Sequence, residues 1–223
     1  MHVRFPYRFS LLLVLLFHFL ITPTRSQVRN AESGQPFQVK DSAIWQALQA
    51  QPDFAALKSE VKEQLYWINF VRIHPRKFYD EYAAAYIKQR YGSGNKYTSS
   101  LREDLYQAPS QQPFKLQPVL LQSSAAHAAD LVRTKKFQHE SSDGTSFQTR
   151  MTKLGFQCSG ENIHIGTSTP FEALMLLLID NKVKGTGHRN NLLSTRFTHI
   201  GLAWTPYRDG MILLVEDFSC SRP

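Results

Sequence analysis

The stretch Thr198-His-Ile-Gly-Leu-Ala-Trp204, followed across Asp209-Gly210 by Met211-Ile-Leu-Leu-Val-Glu-Asp-Phe218, decides the fold class. In its first arm Thr198, Ile200, Leu202 and Trp204 alternate with His199, Gly201 and Ala203, the two-residue period of a strand. Asp-Gly between two such arms signals a hairpin, since both residue types tolerate positive φ. The second arm is apolar enough to be buried on both faces for part of its length.

Upstream the period becomes helical. Leu57, Val61, Leu65, Ile68 and Val71 recur at three- and four-residue steps from Phe54, and Pro75 ends that run while opening a helix through Phe78, Tyr82 and Tyr86. Asp41 caps a short helix carrying Ile44, Trp45 and Leu48. After Pro118, two adjoining stripes (Leu121, Ala125, Ala128, Val132 and Leu120, Ser124, His127, Leu131) are small or apolar, which predicts a central helix buried on both. Thr145-Ser-Phe-Gln148 and Thr169-Pro-Phe-Glu172 read as capping boxes, the first helix stopping at Gly155. Tyr91–Pro113, rich in Gly, Ser, Gln and Pro and without a period, reads as a long surface connection. Helices first, on both sides of a late antiparallel sheet, define an α+β layered fold.

The N-terminus reads as a targeting segment. Arg4 and Arg8 precede the apolar run Leu11–Ile21, broken only by His18, and small residues Thr24 and Ser26 follow. A run of eleven residues is half of what a membrane-spanning helix needs, roughly 20. A signal peptide over residues 1–26 is expected, with an uncleaved anchor as the alternative. Its removal takes three arginines and no acid, so the net charge falls from +8 to +5. Lys135-Lys136 and Lys182–Lys184 are short pairs rather than a polybasic arm, which argues against nucleic-acid binding and leaves attraction to anionic surfaces. Cys158 and Cys220 are the two cysteines; a disulfide is expected in an oxidising compartment, two free buried thiols being the alternative.

The chemically useful groups sit in three phrases: Phe137-Gln-His-Glu-Ser-Ser142, Cys158-Ser-Gly-Glu-Asn-Ile-His-Ile165 and Gly187-His-Arg-Asn-Asn-Leu-Leu193. Their spacing is no local metal code, with neither His-x-x-x-His on a helix nor paired Cys-x-x-Cys. Ser141 and Ser142 beside His139 lack a Gly-x-Ser-x-Gly elbow, which argues against a serine hydrolase. His127 reads as a satisfied core histidine, Arg189 as a structural cation paired with an acid or the chain end, and Asn162 and Asn190 as partners of loop backbone. His164 has the opposite strand parity from Glu161. Trp67, Phe70, Tyr79, Tyr82 and Tyr86 read as packing aromatics.

Together these phrases resemble the CAP superfamily of secreted proteins (cysteine-rich secretory proteins, antigen 5, pathogenesis-related proteins), in its bacterial-type branch. The resemblance implies a three-layer α-β-α sandwich over about residues 57–220, after an extension at 27–56 and before a tail at 221–223. It implies a central cleft of two histidines and two acids: His139 from Phe-x-His-x-Ser, Glu161 from Gly-Glu-Asn and His188 from Gly-His-Arg-x-Asn-Leu-Leu. Asp180 in Leu177-Leu-Ile-Asp180 stands where relatives carry a glutamate. A divalent metal, zinc foremost, is the implied occupant. The expected function is a secreted, extracellular or periplasmic binding module for a lipid, glycan or peptide. A metal-assisted hydrolase with Glu161 as general base, and an envelope or matrix protein whose cleft is structural, are the alternatives.

Overall fold

A computed structural model describes residues 37–220; the signal-peptide reading of residues 1–26 and the tail at 221–223 lie outside the described residues. The compact unit begins at Val39, so residues 39–56 fold with the domain. Within it α1 (Ser42–Gln49) is capped by Asp41, whose Oδ1 accepts from the backbone N–H groups of Ala43 and Ile44. The stripe from Val61 forms α2 (Ser59–Ile73). Pro75 opens α3 (Pro75–Phe78), which runs through a π-turn at Tyr79–Ala83 into α4 (Ala84–Tyr91). Among the described residues no helix is long and apolar enough to cross a membrane.

The expected connection after Tyr91 is instead interrupted by α5 (Lys96–Gln107). Asn95 accepts from the backbone of Tyr97 and Thr98, and Thr98 reciprocates, forming a capping box. Only Thr98, Leu101 and Leu105 are buried, so the helix shows too narrow an apolar stripe for a clear period.

The sheet has four strands, β1 (Lys115–Leu116), β2 (Ser159–Gly166), β3 (His199–Pro206) and β4 (Ile212–Ser219), in the order β1-β3-β4-β2. The β2–β4 and β3–β4 pairs are antiparallel and the two-residue β1 joins β3 in parallel. The Asp209-Gly210 turn is as read: φ is 52° and 73° at its two central residues. The helix α6 (Pro118–Thr134) covers the face formed by Ile163, Ala203, Leu213 and Val215. There a Cβ on Gly201 would collide with the backbone of Leu120 and Leu121, so glycine permits the close helix–sheet approach. On the opposite face lie α2 and α8 (Pro170–Ile179), completing a three-layer α-β-α sandwich.

Two readings shift. Of the two stripes on α6, Leu120, Ser124, His127 and Leu131 are buried, but Ala125 is exposed and Leu121 and Val132 half-buried, because only the sheet side is fully covered. The helix α7 (Phe147–Lys153) is capped by Ser146, whose Oγ accepts from Thr149, one residue later than Thr145 would place it. The Thr169–Glu172 box on α8 is present. Trp67, Phe70 and Tyr82 pack edge-on or tilted with one another and with Phe78 and Phe171, and Tyr79 and Tyr86 pack edge-on against Tyr106 and Phe171, consistent with the reading of these five as packing aromatics.

Cys158 and Cys220 are bonded, closing 62 residues of chain beside the β2–β4 edge. Replacing both by serine is expected to lower stability by about 2–4 kcal/mol, chiefly through the longer loop freed in the unfolded chain. Chemical denaturation under non-reducing conditions measures this; an unchanged midpoint would contradict it.

A second expectation concerns Arg189, which is 1% exposed and lies on α9 (Gly187–Leu192). Its guanidinium donates to the carbonyls of Leu178, Ile179 and Tyr97, to Ser100 and to Asp104. Asp104 is 47% exposed, so that ion pair is worth well under about 1 kcal/mol. The buried carbonyls matter more: Arg189→Met should cost at least about 3 kcal/mol, against less than about 1 kcal/mol for Asp104→Asn. Equal losses in the two variants, read from urea midpoints, would contradict this ranking.

Candidate functional site: two carboxylate–histidine pairs

The site is built on β2, an edge strand of the sheet. Alternation along β2 sends Glu161 toward α6 and Asn162 toward the α2 and α8 side. Each anchors one half of the site. Gly160 is not among the positive-φ glycines; what requires glycine there is space, since a Cβ would lie 2.9 Å from Asn191 Oδ1 and from the Phe197 ring.

On the α6 side, Glu161 is 6% exposed. Its Oε1 meets His139 Nδ1 at 2.8 Å, and its Oε2 accepts from Arg150 at 2.6 Å. Arg150 also donates to the His139 carbonyl and to Ser141, which ties the histidine loop to α7. His139 itself is 56% exposed through its side chain. Beneath them His127 is buried, its Nε2 bonded to the Gln138 carbonyl at 3.1 Å and 3.8 Å from Glu161; it is a core histidine as read, but satisfied at one nitrogen only, since Nδ1 has no partner among the described residues. Burial lowers the His127 pKa, so the ring is held neutral despite that carboxylate. Asp217 faces Glu161 across the ladder. Burial, reinforced by the charge of Glu161, raises its pKa well above the ordinary carboxylate range.

The second half centres on Asp180, the residue ending α8, buried and at φ 55°. Its Oδ1 meets His188 Nδ1 at 2.7 Å while its Oδ2 accepts the His188 backbone N–H at 2.9 Å, so one carboxylate both fixes the imidazole and satisfies the start of α9. Asn162 donates to the His188 carbonyl and to Glu216. Asn191 donates to the Glu161 carbonyl and to Asn162, joining α9 to the edge strand. Asn190, expected to hold loop backbone, bonds the Gly185 carbonyl. His164 shares the Asn162 face by alternation; burial, with His188 adding to it, pushes its pKa down to about 4, and its Nε2 meets Ser168.

The four sequence-derived residues therefore form two pairs, His139–Glu161 and His188–Asp180. Among the described residues no three His, Cys, Asp or Glu side chains are grouped to hold one metal ion. Neither carboxylate is free to serve as a ligand, since both are spent on imidazole and on Arg150 or backbone. In both rings Nδ1 is held by a buried carboxylate. That is the outer-shell arrangement that fixes the tautomer of a metal-binding histidine and leaves Nε2 as the donor. The donor chemistry thus fits up to two imidazole ligands, with the acids one shell further out.

Arg150, Asn191, Gln64, Glu216 and Asp217 were not singled out from the sequence. A buried Glu-Asp pair inside an apolar strand was the available signal for the last two.

An α-β-α sandwich carrying these motifs defines a class, and residues 78–218 match the model of the cysteine-rich secretory protein (CAP) family. The chain belongs to that family and is a CAP-domain protein of bacterial type. It is 31% identical over 94 residues to the uncharacterized protein YkwD of Bacillus subtilis, covering 41% of this chain and 35% of that protein; the chain thus spans about a third of the relative's length. Among solved structures it is similar to an extracellular protein containing an SCP domain from Bacillus anthracis, with 23% identity, a TM-score of 0.42, and coverage of 56% of this chain and 39% of that one. It is also similar to an outer surface protein of Borrelia burgdorferi, with 19% identity, a TM-score of 0.44, and coverage of 57% and 90% respectively.

Glu216 supplies a pH expectation. It is fully buried, accepts from Gln64 and Asn162, and burial pushes its pKa up from 4.5 to about 7 against the pull of those donors. Between these values the folded chain binds more protons than the unfolded one. The stability linked to this carboxyl is therefore complete below about pH 4.5 and lost as pH rises through about 7, by about 3 kcal/mol. Urea titrations from pH 4.5 to 8 should show a shallower decline for Glu216→Gln than for the parent chain. Parallel profiles would count against the assignment.

Proposed function

We propose that the chain is a secreted CAP-domain binding module whose cleft presents two carboxylate-fixed imidazoles, His139 and His188, to a divalent metal such as zinc and to an extracellular lipid, glycan or peptide. The observation that carries this reading is the paired geometry: each Nδ1 lies 2.7–2.8 Å from a buried carboxylate, and no hydrogen bond occupies either Nε2 among the described residues. Secretion is supported by the N-terminal pattern and by the disulfide, which belongs to an oxidising compartment. The excess of basic residues adds attraction to anionic surfaces.

In this proposal His139 and His188 are the residues that would hold zinc, and Glu161 and Asp180 orient them. Bound zinc would supply a Lewis-acidic centre with open positions for a ligand. Turnover forms no part of the proposal, because a general base must reach a water or substrate proton. Glu161 has both oxygens engaged by His139 and Arg150 and is almost wholly buried.

Equilibrium dialysis against zinc should show weak uptake, lowered at least about tenfold by His139→Ala and by His188→Ala. Asp180→Asn should lower it too, by about 10-fold or more, while leaving both imidazoles in place. No hydrolysis is expected across a panel of peptides and esters with zinc present. Zinc uptake indifferent to both histidine variants would overturn the proposal, and so would turnover requiring both histidines and Glu161.

A further inference from the structure

Three large hydrophobic side chains stand exposed among the described residues: Val39, Phe137 and Val183. Single exposed apolar groups are ordinary on a protein surface. The placement of the last two is not ordinary. Phe137, 60% exposed, lies two residues before His139, and Val183, 37% exposed, lies between Asp180 and His188. Each histidine loop thus carries one apolar tip, and each tip is bordered by two exposed lysines: Lys135 and Lys136 before Phe137, Lys182 and Lys184 around Val183.

The backbone on either side of each tip is fixed. At the end of α6, Lys135 takes a left-handed conformation, φ 56°, and the Lys136 N–H returns to the Leu131 carbonyl. One residue past Phe137, the Gln138 carbonyl accepts from buried His127. On the other loop the Val183 N–H bonds the Asp180 carbonyl, and the Thr186 N–H bonds the Val183 carbonyl. Both loops meet β2 at neighbouring residues: His139 through Glu161, and α9 through Asn162 and the Glu161 carbonyl. The two tips therefore belong to loops that flank the same stretch of edge strand, one from each face of the sheet.

Charge and apolarity together narrow the partner. None of the four lysines has an ion-pair partner among the described residues. Of the acids near these tips, Asp130 is engaged by Arg133 and Ser142, Asp143 by the Thr145 N–H and Asp180 by His188, which leaves Glu140. A polyanion such as an acidic glycan would pair with the ammonium groups but give Phe137 and Val183 no refuge from water. An anionic bilayer answers both. Its headgroups attract lysine, and its interface takes up apolar side chains while the neighbouring lysines keep their charges at the phosphates. We infer that the two histidine loops form a lipid-facing surface, with Phe137 and Val183 entering the interface of an anionic membrane and Lys135, Lys136, Lys182 and Lys184 at its headgroups. This deepens the secreted-module reading, on which it rests for access to a lipid surface, and it requires no metal.

The chain from Gln27 keeps the whole compact unit and omits the apolar run Leu11–Ile21. With a chelator present, it should co-sediment with vesicles of equimolar phosphatidylcholine and phosphatidylglycerol, and not with phosphatidylcholine alone. Phe137→Ser should weaken that binding at least about fivefold. Lys135→Gln with Lys136→Gln, and separately Lys182→Gln with Lys184→Gln, should each weaken it at least about tenfold. Taking the same charge from α4, by Lys88→Gln with Arg90→Gln, should change it by less than about threefold. All these positions are exposed, so the urea midpoints should stay at that of the parent. The inference is overturned by absent binding, by equal binding to both kinds of vesicle, or by indifference to Phe137→Ser, which would mark a purely ionic attraction. Loss confined to the lysines of one loop, or equal loss in the α4 variant, would overturn the shared surface. Failure here with zinc uptake intact would leave the metal reading standing, and vesicle binding without zinc uptake would do the reverse.

Discussion

The buried guanidinium of Arg189 is the interaction on which the rest of the site depends. It takes up the carbonyls of Leu178 and Ile179, which α8 leaves without partners at its C-terminal end, and it reaches Tyr97, Ser100 and Asp104 on α5. One planar fork thereby fixes the end of α8, the start of α9 and their distance from α5. Asp180 follows Ile179 and His188 precedes Arg189, so the carboxylate–imidazole pair is set by its neighbours in sequence. Arg72 does the same a few residues on, collecting the carbonyls of Leu192, Ser194 and Phe197 and lying 3.6 Å over the Phe114 ring. Burial draws its pKa down only to about 10, so it remains a cation with carbonyl dipoles and an aromatic face in place of an acid. Residues 178–197 are largely loop and short helix, and these two arginines give them the rigidity that a sheet would otherwise provide.

A second constraint runs along β4. Consecutive Glu216 and Asp217 point to opposite faces of the sheet and are both buried. Two adjacent buried charges would be very costly: burial raises the pKa of both carboxyls, and amide donors from Gln64 and Asn162 surround Glu216. On the α6 face Glu161 is the acid that pairs with Arg150. The same carboxylate meets His139 Nδ1, so one acid joins Arg150 to the imidazole.

The parts legible in the sequence are those set by local rules. The Asp209-Gly210 hairpin, the proline-opened helices and the Thr169–Glu172 box depend on residues within a few positions of one another. The alternation that separates His164 from Glu161 is equally local. The helix α5 was not legible, because its polar composition hides a stripe of three buried residues and its stability comes from packing and from Arg189. In the site, the motif phrases located His139, Glu161 and His188, but not their division into pairs. Which atoms pair depends on Arg150 and Asn191 arriving from α7 and α9, a consequence of tertiary placement that no spacing in the chain encodes.

Asp180 shows why the division has chemical weight. The position lies at φ 55°, a left-handed conformation in which aspartate is several-fold enriched over most other residues. Its short side chain folds back onto the backbone N–H and Nδ1 of His188, eight residues on. Once committed to that double bond, the carboxylate cannot reach outward as a ligand without releasing both the start of α9 and the histidine tautomer. The same logic holds for Glu161, which would have to release Arg150 and with it the link between the His139 loop and α7. Both acids are therefore retained by structural work, each tied to an imidazole Nδ1 and to a second group that anchors a loop or a helix start.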